Sequence, residues 1–219
     1  MYIPPANAES NEDTLFAFLA AHPLGALITR SSGGQLFATH LPWLVDRDRG
    51  NHGMLEGHIA RANSHHELTG LDATERCTEA LVIFSGPDAY ISPSWYPSKH
   101  EHGKVVPTWN YIAVHVYGTV RFTSDRAFLG RHLERLVATH EGRRPVPWKI
   151  SDAPPDYIER QMKAIVGVEL SIQRIEGKWK MSQNRPAADI DGVVQNLLNS
   201  PVARDREVAD IVAMRKPST

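Results

Sequence analysis

Cysteine is almost absent from this chain of 219 residues. The single thiol, Cys77, excludes an intrachain disulfide and a zinc site built from cysteine ligands. No apolar run reaches the roughly 18 residues of a membrane-spanning helix, and the N-terminal segment lacks the basic and apolar regions of a signal peptide. We therefore expect a soluble, cytoplasmic protein that does not bind to a membrane.

An excess of charge of either sign is also missing, since 24 Lys and Arg oppose 25 Asp and Glu and leave a net charge of -1. Proteins that bind DNA usually carry a basic surface, so DNA is a partner that this charge disfavours. Two alternatives stay open for the arginines of one predicted helix: they form a local basic face, or they are solvated and pair with Glu134 and Glu141. The arginines concerned are Arg126, Arg131, Arg135, Arg143 and Arg144.

The common nucleotide and hydrolase motifs are absent as well. There is no G-x-G-x-x-G, no phosphate-binding P-loop and no G-x-S-x-G, which argues against a Rossmann dehydrogenase, a P-loop nucleotidase and an α/β-hydrolase. Eleven histidines are present, but no H-E-x-x-H occurs, and His132 and His140 lie about 12 Å apart if they share a helix. We expect no metal site.

Hydrophobic patterning predicts a mainly β chain with added helices, of the α+β class. Short antiparallel strands joined by turns suggest a small barrel decorated by helices. We expect one domain over 1–219, with the barrel at about 12–185 and a C-terminal helical extension, 186–219, of two short helices. The predicted strands are 24–30, 36–45, 54–60, 80–84, 89–92, 106–122, 168–175 and 179–182, and the other predicted helices are 10–22, 124–140 and 154–166.

Aromatic residues concentrate between Phe84 and Phe122, which hold eight of the 17 in the chain. Prolines at both ends of Pro93–Pro97 and before Trp109 fix the backbone beside these rings. Flat rings on a rigid backbone suit the stacking of a planar heteroaromatic cofactor. Two alternatives remain open, namely stacking of single-stranded nucleic acid and an aromatic core with a dimer seam.

Two polar segments supply further candidates. His58 lies at the end of a predicted strand, and Arg61 and Asn63 follow it. Free N–H groups and a guanidinium at such a place suit a phosphate monoester. The alternative is a solvated arginine and an asparagine cap. At the other end of the chain, residues 178–185 offer amide and cationic donors that suit the acceptor edge of a flavin, although polar strand ends are common.

Taken together, seven segments of the chain resemble one known family. The sequence is similar to the PaiB family of FMN-binding negative transcriptional regulators. The resemblance implies an FMN-binding split β-barrel related to pyridoxamine 5′-phosphate oxidase, usually a homodimer with flavin at the subunit seam. The segments are MYIP (1–4), ATHLP (38–42), GHIARAN (57–63), FSGP (84–87), YISPSWY (90–96), VPTWNY (106–111) and KMSQNR (180–185).

The resemblance also implies roles for particular residues around FMN. His58, Arg61 and Asn63 are expected at the phosphate, with the strand of Thr39 and His40 beside them. A second strand, which contains Trp109, Asn110 and Tyr111, is expected to reach the flavin from the partner subunit. The candidates for the polar edge of the ring are Lys180, Gln183 and Asn184.

Three functions are consistent with this resemblance. The first is a negative transcriptional regulator that acts as a flavin-dependent or ligand-sensing dimer. The second is an FMN-dependent oxidoreductase for a small molecule, for which His40, His115 and Tyr111 are available as proton donors. The third is a haem- or flavin-binding protein of storage or sensing type. The sequence assigns no catalytic residue.

Overall fold

A computed structural model describes residues 1–31, 33–68 and 78–217, so Cys77 lies outside the described residues. Within them, eight strands form a sheet of order β3–β2–β6–β7–β8–β5–β4, with β1 paired to β8. The pairings β1–β8, β2–β3, β2–β6, β4–β5 and β5–β8 are antiparallel. The strands are β1 Ala8–Glu9, β2 Leu24–Arg30, β3 Leu36–Pro42, β4 Leu44–Asp46, β5 Met54–Ala60, β6 Thr78–Ile91, β7 Thr108–Thr123 and β8 Ile165–Lys180.

Helices connect and follow these strands. Seven α-helices lie in the described residues, and the last two confirm the predicted C-terminal helical pair. None in this part of the chain is both long enough and apolar enough to cross a bilayer. They are α1 Glu12–Ala21, α2 His65–Leu68, α3 Ser98–His102, α4 Arg126–Glu141, α5 Pro155–Lys163, α6 Ala187–Leu198 and α7 Ala203–Met214.

The described chain divides into two compact units. Unit 1 takes the described residues of Met1–Leu15, Ser85–Val114 and Glu176–Thr219, and its core includes Tyr96 and residues of α6 and α7. Unit 2 takes those of Phe16–Phe84 and His115–Ile175, and its core lies on the inner faces of its strands. In unit 2 the side chains of Leu27, Val82, Val116, Val168 and Leu170 are fully buried.

Two long strands continue where the sequence predicted breaks, so these predictions were wrong. In β6 the buried positions change from even to odd numbers across Ser85 and Gly86, which shifts the alternation without ending the strand. In β8 Gly177 does not form a turn, because it pairs with Glu9 of β1. A Cβ there would lie 2.4 Å from Leu15 Cδ2, so this glycine permits a close approach.

A buried cluster of charges joins several elements of unit 2. Glu56 of β5 and Glu169 of β8 lie directly opposite each other and are 3% and 4% exposed. Three arginines surround these two carboxylates. Arg49 binds both glutamates, Arg121 of β7 binds Glu169, and Arg135 of α4 binds Glu56 at 2.8 Å.

Gly118 of β7 is required by the closeness of β8. A Cβ at this position would lie 2.0 Å from the carbonyl oxygen of Ser171, which cannot retreat without separating the strands. We expect Gly118→Ala to lower the free energy of unfolding by about 1–3 kcal/mol or more, measured by urea denaturation. Gly130→Ala is the matched control, because the nearest atom to its Cβ lies 4.0 Å away in Met162.

The control substitution adds helix propensity in α4 and should raise the free energy of unfolding by up to about 1 kcal/mol. Equal stabilities of the two variants would contradict the close approach at Gly118.

Candidate functional site

In unit 2, Thr39 and Asn63 are brought together by a histidine that the sequence analysis did not select. The amide of Asn63 donates to Thr39 Oγ1 at 3.1 Å, and Asn63 Oδ1 accepts the main-chain N–H of His65. The ring of His65 is fully buried and lies 2.8 Å from both Thr29 Oγ1 and Thr39 Oγ1. Burial, and then the charge of His66, lowers the pKa of His65 to about 4, so the bridging imidazole is neutral.

The other predicted residue of this strand, His40, lies on the opposite face. Neighbouring side chains of a strand point to opposite sides, and His40 is exposed, whereas Thr39 is half-buried. His40 pairs in register with Ala26 of β2. The structure therefore does not bring His40 together with Thr39 and Asn63.

His58 contacts a second histidine from α4. Its Nδ1 lies 3.0 Å from Nε2 of His132, whose ring stacks on Phe128. His132 is 1% exposed, and its Nδ1 has no hydrogen-bond partner among the described residues. Burial lowers the pKa of His58. Burial, followed by the charges of His58 and Arg135, lowers the pKa of His132 to about 4. Both rings are thus held in the neutral form.

Arg61 directs most of its donors to the chain itself. Its Nε donates to the carbonyl oxygen of Lys163 at 2.8 Å, and Nη2 donates to that of Ile165 at 2.9 Å. Both Nη atoms also reach Ser124 Oγ at 3.4 Å. Arg61 therefore fastens the connection between α5 and β8.

A small pocket of about 260 Å³ opens beside Arg61. It carries the cations Arg61, Arg126 and Lys163 together with one carboxylate, Glu159. Glu159 binds Arg126 at 2.6 Å and Lys163 at 3.6 Å. The hydrogen bond from Arg126, the largest contribution, lowers the pKa of Glu159. The positive charge of the pocket is therefore partly neutralised by the protein's own acid.

In unit 1, the loop that follows β8 is tied down by its own side chains. Gln183 Oε1 accepts the N–H of Met181, and Gln183 Nε2 donates to the carbonyl oxygen of Trp179, both at 2.6 Å. Buried Asn110 donates to Ser182 Oγ at 3.0 Å. Ser182 has a φ of 63°, in the left-handed region that few non-glycine residues adopt. The loop is thus rigid, because the side-chain amides of Gln183 and Asn110 form hydrogen bonds with it.

Lys180 is fixed against the start of β7. Its Nζ donates to the carbonyl oxygen of Trp109 at 2.6 Å and to Thr108 Oγ1. Burial, followed by the charges of Lys178 and Arg185, lowers the pKa of Lys180. The structure thus gathers five of the predicted residues of unit 1, namely Trp109, Asn110, Tyr111, Lys180 and Gln183, around one strand end, while Asn184 is exposed.

Lys178 begins the polar segment 178–185, and it is a residue of this cluster to which the sequence analysis gave no individual role. Its Nζ lies 5.1 Å from the centre of the Tyr111 ring and 5.7 Å from that of Tyr2, and the residue is 8% exposed. The Nζ of Lys180 lies 6.0 Å from the same Tyr111 ring. The spacing of the two lysines, two residues apart on one strand, was the available signal, because such residues share a face.

Trp109 adds exposed aromatic surface to unit 1. It is 52% exposed and meets Tyr90, which is 48% exposed, edge to face at 5.9 Å between ring centres. No group of three or more potential metal-ligating side chains occurs in the described parts of the chain. The chemistry offered here is aromatic stacking beside cations.

Comparison with known proteins gives matches over nearly the whole chain. The model of a family described as "Putative FMN-binding domain" matches residues 1–174. The protease synthase and sporulation protein PAI 2 of Bacillus subtilis is 32% identical, covering 97% of this chain and 96% of that protein. An uncharacterised protein of Aspergillus fumigatus is 36% identical, covering 89% of this chain and 90% of that protein.

Solved structures share the fold at low sequence identity. A conserved hypothetical protein of Mycobacterium tuberculosis is 13% identical with a TM-score of 0.57, covering 85% of this chain and 94% of that one. The flavocytochrome Anf3 of Azotobacter vinelandii is 17% identical with a TM-score of 0.52, covering 78% and 68%. The predicted fold class, an α+β split β-barrel with added helices, is confirmed.

The neutral His58–His132 pair predicts a stability that depends on pH. Unfolded histidine has a pKa of about 6.5, so below this pH the unfolded chain takes up protons that folded His132 refuses. The contribution of His132 to the free energy of unfolding is therefore fully present above about pH 6.5. It is lost as the pH falls towards 4, and the loss is at most about 3 kcal/mol. We expect urea midpoints to fall between pH 7.5 and 5, and less steeply in His132→Leu.

His140→Gln is the control for this experiment, because His140 is exposed on the same helix. It should keep the pH dependence of the original protein. A His132→Leu variant with an unchanged slope would show that the histidine pair does not resist protonation.

Arg61 offers a second test, because its hydrogen bonds connect α5 and β8. We expect Arg61→Ala to lower the free energy of unfolding by about 1 kcal/mol, since water can replace these exposed bonds in part. The binding of FMN and the binding of riboflavin, both measured by fluorescence titration, should weaken to the same degree. Arg131→Ala, at an exposed position of α4, should change neither quantity. A loss confined to FMN would instead favour the expected phosphate role, which remains a prediction.

Proposed function

The chain belongs to the PaiB-type family of FMN-binding domains, and from this membership we propose that it is an FMN-binding homodimer that acts as a negative transcriptional regulator. Flavin or another ligand sets its regulatory state, and direct contact with DNA contributes little. FMN, when bound, supplies reversible electron transfer. The residues of this chain bind the flavin and orient it.

The observation that carries the flavin proposal is the cluster of unit 1 around the end of β8. A rigid loop with left-handed Ser182 stands beside two lysines, and the Trp109 and Tyr111 rings lie next to them. Residues in rare backbone conformations persist where the surroundings hold them, and they concentrate at ligand sites. Rings for stacking and cations for a phosphate are what an anionic, planar cofactor requires, so the residues fit FMN.

The outer face of the sheet in unit 2 supports the homodimer. The side chains that alternate with the core residues on β2, β3 and β6 are mostly apolar and at least partly exposed, and a cleft of about 640 Å³ opens on this face. Ile28 pairs in register with Ala38 on one side and Leu81 on the other. An apolar sheet face of this kind favours burial against a second copy. Its members include Leu24, Ala26, Ile28, Leu36, Ala38, Leu81 and Ile83.

The ion pairs of α4 and its surroundings support weak DNA binding. Arg126 binds Glu159, Arg135 binds Glu56 and Asp46, and Arg144 binds Glu141 at 3.1 Å. Three of the five arginines that were candidates for a basic face therefore carry a carboxylate partner. Non-specific DNA affinity depends on cations that are free to neutralise phosphates. Carboxylate partners offset the charges of these three arginines.

The proposal predicts a yellow protein whose extracted chromophore has the mass of FMN. It also predicts a dimer in sedimentation at micromolar concentration, and Ile28→Arg should convert it to a monomer because two charges would then be buried in the interface. A titration against its own upstream DNA at physiological salt should give weak binding without sequence preference.

Leu198→Arg is the matched control, because Leu198 is an exposed leucine of α6 outside the apolar face. It should remain a dimer. A protein that stays colourless after incubation with FMN would refute the flavin proposal. A monomer before any substitution would refute the dimer, and tight, sequence-selective DNA binding would show a direct regulator.

A further inference from the structure

We propose that Lys178 and Lys180, with the Tyr111 ring beside both, form a binding site for a phosphate monoester in unit 1. The phosphate belongs either to FMN or to a separate phosphorylated substrate. The first source rests on the proposed flavin function, whereas the second does not.

The positive charge of this cluster is uncompensated. Neither Lys178, Lys180 nor the nearby Arg185 forms an ion pair with a carboxylate in the described residues. Three other cations of unit 1 do have such partners, since Arg215 binds Glu9, Lys216 binds Asp191 and Arg204 binds Asp88. Glu9, Asp191 and Asp88 are thus paired with other cations, and the lysine pair is left to attract an anion.

Lys178 is only 8% exposed, and no described residue supplies its ammonium with a counter-charge. An ammonium that is partly shielded from water is stabilised by a counter-charge or by hydrogen bonds. The Nζ of Lys178 donates no hydrogen bond to another described residue, and the faces of the Tyr2 and Tyr111 rings lie near it. A cation–π contact offsets part of the lost hydration. An anionic oxygen would offset the rest.

Lys180 is oriented for the same task. An ammonium has three N–H donors, and two of them bind Thr108 Oγ1 and the carbonyl oxygen of Trp109. These bonds hold the side chain in place and leave one donor for a ligand. A donor that is already positioned loses less conformational entropy on binding.

A phosphate monoester fits the pair better than a carboxylate does. A phosphate monoester carries nearly two negative charges at neutral pH, which matches two neighbouring ammonium groups. The pocket at Arg61 is less suited to such a dianion, because Glu159 already pairs with its cations and Arg61 donates to carbonyl oxygens.

The experiment measures the binding of FMN, riboflavin and inorganic phosphate by isothermal titration calorimetry. In the Lys178→Gln/Lys180→Gln variant, we expect FMN to bind at least 10-fold more weakly and riboflavin to change less than 2-fold. Phosphate should compete with FMN only in the original protein. Lys178→Arg/Lys180→Arg should restore FMN binding because it keeps both charges, and Lys104→Gln, at an exposed lysine of the same unit, should have no effect.

The remaining outcomes distinguish the two sources of the phosphate and identify the results that overturn the proposal. Unchanged binding of both flavins with a loss of phosphate binding supports the site and assigns it to a separate phosphorylated substrate. If the original protein binds no flavin, the proposed function fails, and phosphate binding that requires the two lysines still supports the site. Equal weakening of FMN and riboflavin, or phosphate binding that is absent or indifferent to the lysines, overturns the proposal.

Discussion

The pairing of Glu56 with Glu169 is the constraint on which unit 2 depends. Two like charges directly opposite each other in an antiparallel pair destabilise it, and burial raises the cost further. Arg49, Arg121 and Arg135 remove this repulsion, and they come from a turn, a strand and a helix. The alignment of β5 with β8 therefore requires β7 and α4 to be in place, so that His58 of β5 can meet His132 of α4.

Local alternation predicted the short strands well, and it failed where glycine had another purpose. The bounds of β2 and β5 agree with the prediction. Burial alternates along the whole of β2, whereas residues 55–57 of β5 are all buried. Gly86 and Gly177 suggested ends of strands, whereas the backbone continues through both. A glycine required for close approach to Leu15 cannot be distinguished in sequence from one required for a turn, since only the distant partner differs.

The candidate site was predicted in part, for the same physical reason. Motifs gave residue types suited to FMN, but not the acceptors that each donor meets. Arg61 donates to carbonyl oxygens of residues 163 and 165, more than 100 positions away, and no local pattern reveals this. Lys178 was part of the segment 178–185 but received no individual role, because a lysine in a strand usually points to water, whereas here two tyrosine rings lie near it.

The buried imidazole of His65 determines the direction of the hydrogen bonds around it. Because the ring is neutral, one nitrogen donates and the other accepts, so only two arrangements of hydrogens serve both threonines. In one, Thr39 donates to Nδ1 and Nε2 donates to Thr29. In the other, both polarities are reversed, and the hydroxyl proton of Thr39 is released towards other acceptors. A change of tautomer at the His65 ring therefore reverses the direction of the hydrogen bonds that connect Thr29 of β2 with Thr39 of β3.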